Sequence, residues 1–138
     1  TWSREEDMCH DWYRPVAICH YSAKLEDGRI TALGGKMASS SPSAPMIKLA
    51  TGFHLAPADS TITEGSHDQP YDIESFRVRG YAPKLSIPVA FWRSVGGSQN
   101  GFFHESMIDE LAHEAGVDAL EFRLRHIRPE HEPASKVL

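Results

Sequence analysis

In the stretch "VAFWRSVGGSQNGFFHES", Arg93 stands beside Trp92 and Ser94-Val95, directly ahead of Gly96-Gly97 and a helix-like pattern. A guanidinium set among aromatics needs an acceptor, whether a carboxylate, a backbone carbonyl or a ligand. Gly96 and Gly97 let the backbone turn sharply and approach a ligand, and Ser98 has the side chain of a helix N-cap. Free N–H groups at Gln99 and Asn100 would then face an anion with the helix dipole behind them. The same spacing also fits a plain strand-to-helix turn, which spacing alone favours.

Other residues have reactive types but less suitable spacing. Cys9-His10 and Cys19-His20 recur ten residues apart. Structural zinc sites use gaps of about two to four residues within a ligand pair, and adjacent strand residues point to opposite faces, so no metal site is expected. Glu105, Asp109 and His113 follow one another at i, i+4 and i+8, a spacing that could bind a cation or do acid–base work. They border the apolar face Ile108/Leu111/Ala115, where charged side chains commonly fringe a core, and "HESMI" lacks the second His of a zinc-protease helix. No catalytic residue is assigned.

Hydrophobic residues make up 41% and charged residues 24% of the 138 residues, so an ordinary globular domain is expected. A net charge of −5 excludes the usual basic footprint of nucleic-acid binding. The arginines of "RVRG" and "EFRLRHIR" read as solvated faces. Two cysteines set no disulfide framework, and the apolar runs are too short to cross a bilayer. The opening "TWSREEDM" and the polar ending "RPEHEPASKVL" lead to the expectation of a piece of a longer protein, with 129–138 as a linker or tail.

The elements that must position these residues read as α+β, with antiparallel hairpins followed by two C-terminal helices. Residues 14–39 form one hairpin about Asp27-Gly28, with Gly34-Gly35 marking a bulge or a close backbone approach. Residues 39–60, rich in Ser and Pro, read as a surface loop with room for one turn of helix near "MIKLATGF". Residues 71–85 and "SIPVAFW" read as a second pair of extended pieces, Pro88 placing the latter at an edge. A long helix starts at Ser98 and stops at Gly116, and Asp118 with Glu121 caps a second helix, "ALEFRLRHI".

"SREEDM", "WYRP", "AKLEDGRITAL", "PYDIESFRVR", "FWRSVGGSQNGFFHESMIDELA" and "GVDALEFRLRHI", in that order over residues 2 to 128, resemble the molybdopterin-binding large subunit of the xanthine oxidase/aldehyde oxidase family. Within it they are most similar to the branch of the isoquinoline 1-oxidoreductase β-subunit, also labelled membrane-bound aldehyde dehydrogenase. The resemblance implies that residues 1–128 are an internal part of a larger molybdenum-cofactor-binding domain. The family's F-R-G-F-G-x-P-Q loop falls on Trp92 to Gln99, which implies cofactor contacts at Arg93, Trp92, Gly96 and Gln99 and a substrate contact at Val95. Val95 stands where purine-oxidising members have Phe, and "STITEGSHDQPY", where those members carry a substrate-binding Arg, has none, Glu64 lying nearby, so xanthine is not the expected substrate.

The implied cofactor is molybdopterin, in its cytosine dinucleotide form. The implied reaction is oxidation of an aldehyde or N-heterocycle with oxygen from water. The implied partners are the rest of the large subunit and an iron–sulfur subunit, at the periplasm or membrane. The family's G-G-x-F-G loop and catalytic Glu have no counterpart in the chain, so the chain alone is expected to be inactive. A competing reading is a non-catalytic interaction module docking through the hairpin and the Glu105/Asp109 edge, marked by exposed apolar surface. Another is a small zinc domain built on Cys9, His10, Cys19 and His20.

Overall fold

The structure is a computed structural model that describes residues 2–10, 12–53 and 59–137. A short helix, α1 (Arg4–Cys9), precedes β1 (Ala17–Glu26) and β2 (Arg29–Ser39). Then come α2 (Ser43–Thr51), a 3-10 turn at Ser60–Ile62, β3 (Ser75–Tyr81), α3 (Gly97–Glu114), α4 (Ala119–His126) and α5 (Glu132–Val137). Residues 54–58 of the expected Ser/Pro-rich loop lie outside the described residues. The part just before them is α2, longer than the single turn the sequence implied.

The first hairpin forms as the sequence predicts. Asp27 (φ 50°) and Gly28 (φ 71°) take the left-handed conformations that a two-residue turn between twisted strands requires. Pairing runs antiparallel from Glu26↔Arg29 to Ala17↔Ser39. Lys24 faces Ala32 and Leu25 faces Ile30, so Thr31 is the extra residue of a bulge. The bulge lets Ile30 and Leu33 both reach the core although they are three residues apart. The irregularity therefore lies at Thr31 rather than at Gly34-Gly35. Gly35 instead makes room for an aromatic ring, because a Cβ there would lie 2.7 Å from Tyr21 Cε1.

The α+β class stands, but the second hairpin does not form. β3 pairs in parallel with β2, from Ala32↔Ser75 to Ala38↔Tyr81, giving a mixed sheet of order β1-β2-β3. A parallel partner needs a long crossover, and residues 40–74 supply it. Residues 82–92 contain Pro83 and Pro88, which have no N–H for a ladder, and they pair with the N-terminal segment at the parallel bridge Tyr13↔Val89 without joining the sheet.

α3 lies over one face of the sheet. Ile108, Leu111 and Ala112 bury there with Ile30, Leu33, Tyr71, Ile73 and the wholly buried Phe122 of α4. α3 ends as Gly116 predicts. Gly116 (φ 67°) donates to the His113 carbonyl and Val117 to that of Ala112, satisfying carbonyls that the last turn leaves free. Asp118 then accepts from the N–H groups of Leu120 and Glu121. The Glu121 side chain pairs with Arg125. α4 is tied to the sheet by His126, whose Nε2 accepts from the Ile30 N–H (3.0 Å) while Nδ1 donates to the Phe122 carbonyl (2.7 Å). The expected tail is helical over Glu132–Val137, with a Lys136–Glu132 ion pair.

Candidate functional site

The site is built where residues 92–99 meet the crossover. The Val95 N–H donates to the Trp92 carbonyl (3.0 Å), closing a turn in which Ser94 (φ 64°) and Val95 (φ 42°) are both left-handed. Each such residue costs about 1–2 kcal/mol, and a β-branched one is a true outlier. Gly96 follows because nothing else fits: a Cβ there would lie 1.8 Å from the Thr61 carbonyl oxygen. Beside it, a Cβ on Gly65 would lie 2.8 Å from Gly97 Cα, so crossover and helix start touch backbone to backbone. Asn100 fastens the contact, its buried side-chain amide donating to the carbonyls of Ile62 (2.6 Å) and Glu64 (2.8 Å).

The crossover is itself held by Asp59. Its carboxylate accepts from the hydroxyls of Ser41 (2.5 Å), Ser43 (3.1 Å) and Thr61 (2.5 Å) and from the Thr61 N–H. Burial pushes this carboxyl up, but these hydrogen bonds outweigh it and hold the group below its ordinary 3.8.

Two expectations about the helix start are corrected. The helix begins at Gly97, and its N-cap position is Gly96 rather than Ser98. The Asn100 N–H donates to the Gly96 carbonyl, so it is not free for an anion. Ser98 Oγ is engaged elsewhere, bonding the Arg93 carbonyl and Ser94 Oγ and accepting from Arg14 (2.6 Å).

Trp92 is 45% exposed, donates its indole N–H to the Trp12 carbonyl (3.0 Å), and lies under the Arg14 guanidinium at 5.3 Å. Arg93 is also exposed, where the aromatic neighbours in the sequence suggested burial, and its guanidinium makes no hydrogen bond or ion pair among the described residues. Val95, Gly96, Gln99, Trp92, Thr61 and Arg14 line a shallow pocket of about 10 Å³. Gln99, one of the lining residues, has an Oε1 that is buried and without a hydrogen-bond partner among the described residues. Trp92, Val95, Gly96 and Gln99 thus share one pocket, with Arg93 on the turn beside it. Arg14 was missed by the sequence reading. Its signal lies in "WYRP", but its partners are far downstream.

The remaining candidates resolve differently. Glu105 and Asp109 pair with Arg123 (2.9 and 2.5 Å), and Glu105 also accepts from the Tyr71 hydroxyl (2.8 Å). Hydrogen bonding to Asp109, then to Glu105, raises the Arg123 pKa against the opposing effect of burial. These carboxylates stitch α3 to α4, while His113 is exposed. Cys9 is exposed on α1, Cys19 is half-buried on β1, and the His10 ring bonds the Glu6 carbonyl. Among the described residues, no three His, Cys, Asp or Glu gather as a metal site would require.

Residues 1–127 match the molybdopterin cofactor-binding domain family. The chain is 28% identical over 128 residues to the β-subunit of isoquinoline 1-oxidoreductase from Brevundimonas diminuta, covering 91% of the chain and 16% of that protein. It is 34% identical over 103 residues to a subunit of nicotinate dehydrogenase from Pseudomonas putida, covering 73% of the chain and 9% of that protein. The chain therefore spans only a small part of the length of these relatives. Because the match takes in the whole sheet, the crossover and the glycine-opened turn with its pocket, the chain belongs to the molybdopterin cofactor-binding domain family, of the xanthine oxidase type.

Proposed function

We propose that this chain forms one wall of the molybdopterin site in the large subunit of a molybdenum hydroxylase, with the turn at 92–99 as its working surface. The observation that carries the reading is Gln99 Oε1, buried and without a partner among the described residues, on a residue that lines the pocket with Trp92, Val95 and Gly96. A buried polar atom without a partner is costly unless a ligand completes it. Gln99 would meet a polar edge of the pterin, and Trp92 offers a flat apolar surface. Gly96 keeps the wall open, and Arg93 provides positive charge for phosphate.

When bound, the molybdenum–pterin group supplies the redox chemistry, and the protein supplies binding and orientation. Val95 presents a small apolar side chain toward the substrate. We favour an N-heterocycle over an aldehyde, because the names of both relatives refer to nitrogen heterocycles. The cytosine dinucleotide form of the cofactor, an iron–sulfur partner subunit and contacts with the rest of the large subunit complete the proposal. Exposed Tyr13, Val16, Ile18, Ile87 and Phe91 supply apolar surface for those contacts.

The test is Arg93→Ala in the full-length holoenzyme, measuring molybdenum and pterin content beside turnover. Loss of cofactor or turnover by about tenfold or more, with the fold intact, is expected for a lost charge-assisted contact. Unchanged content and rate would leave residues 92–99 as an ordinary turn.

A further inference from the structure

We infer that Arg14 is a positioning residue that holds the turn from Trp92 to Ser98 in the conformation presenting Arg93. The inference rests on the reading of Arg93 as a cofactor contact. Arg14 arrives on a braced segment. The Tyr13 N–H donates to the Pro88 carbonyl (3.0 Å), the Ala90 N–H to the Tyr13 carbonyl (3.3 Å), and the Trp92 indole to the Trp12 carbonyl (3.0 Å). These bonds lay residues 12–14 alongside 88–92 and set the Arg14 guanidinium over the Trp92 ring.

From there Arg14 donates to Ser98 Oγ (2.6 Å), and Ser98 Oγ with Ser94 Oγ donates to the Arg93 carbonyl (3.3 and 2.6 Å). One side chain therefore grips the turn on both sides of Arg93. Consecutive left-handed Ser94 and Val95 persist only when their surroundings over-determine them, and this chain of contacts does so from outside the turn. The contact asks for a flat cation that stacks and donates at once, which suits Arg and not Lys. Among the described residues no carboxylate is paired with either Arg14 or Arg93. Arg14 is therefore committed to the turn rather than to an ion pair.

The experiment is a double-mutant cycle in the full-length holoenzyme: Arg14→Ala, Arg93→Ala and both together, read as molybdenum and pterin retained per protein, with Tm recorded for each. Arg93→Ala is expected to lower retention by about tenfold or more and Arg14→Ala by about fivefold or more, the scale of a lost charge-assisted hydrogen bond. The double variant should retain no less than Arg93→Ala alone, because Arg14 acts through that turn. Arg14→Lys should recover little. Losses that multiply, or an Arg14→Ala enzyme that keeps its cofactor while Arg93→Ala loses it, would overturn the inference alone. An Arg93→Ala enzyme with full cofactor and unchanged turnover would sink both the reading of Arg93 and this inference. If Arg14→Ala does not fold, Ser98→Ala removes only the hydroxyl link and completes the same cycle with the same criteria.

Discussion

Gly96 and Gly97 read as equivalent helix-opening glycines, yet a methyl group at 96 would sit 1.8 Å from the Thr61 carbonyl oxygen while one at 97 would meet open space. Backbone cannot give way as a flexible side chain can, so Gly96→Ala should destabilise the protein by about 3 kcal/mol, at the upper end for overpacking. Gly97→Ala should be neutral or gain up to about 1 kcal/mol from helix propensity. Thermal melts of the two variants check this, and equal Tm values would contradict the packing described at Thr61. Sequence alone could mark the glycines as special but not separate them, because what distinguishes them arrives from a crossover more than thirty positions earlier. The same applies to Ser98 and Arg14. Ser98 has the side chain of a cap, but competition from the Arg93 carbonyl and the Arg14 guanidinium decides its bonds, and neither is a local property of a helix start.

At the level of elements, His126 joins α4 to β2 and makes that junction sensitive to acid. Burial lowers its pKa from the ordinary 6.5, nearby Arg29 and Arg125 add to the effect, and the Phe122 carbonyl and Asp72 oppose it. The unfolded chain therefore takes up the proton first. Stability from this group is complete above about pH 6.5 and is lost as the pH falls through the lower folded value. Burial moves His104 the same way, against Glu105. A Tm that falls between about pH 7 and pH 5 is expected, along with an imidazole NMR titration of His126 below its ordinary midpoint; a flat Tm over that range would count against the neutral junction. The first hairpin, the stop at Gly116 and the cap at Asp118 were legible because each is signalled within a few residues. The parallel pairing of β3 was not, since its partner lies across a crossover whose Ser- and Pro-rich sequence carries no period. Only a turn of α2 showed in the same stretch, for the same reason.

For the whole molecule, the α+β class followed from the change from alternating to helical period, while the distribution of apolar surface did not. Ile18 (71% exposed), Phe102 (70%) and Leu49 (71%) stand open on different elements, and residues 82–92 bear exposed Leu85, Ile87 and Phe91. Where such side chains join into one patch, they mark a contact site. The chain prepared alone is expected to self-associate with rising concentration in sedimentation experiments, whereas strictly monomeric behaviour would argue that these side chains are simply solvated. The turn of residues 92–99 also has a history in time. Its supports at Thr61, Ile62 and Glu64 belong to the crossover, and the crossover has no fixed course until β3 has found β2. The local hairpin can close within microseconds, but pairing across so long a loop is slow. The pocket is therefore among the last parts of the chain to take shape, and on the proposed reading a pterin offered during synthesis would meet its binding surface only after the sheet is complete.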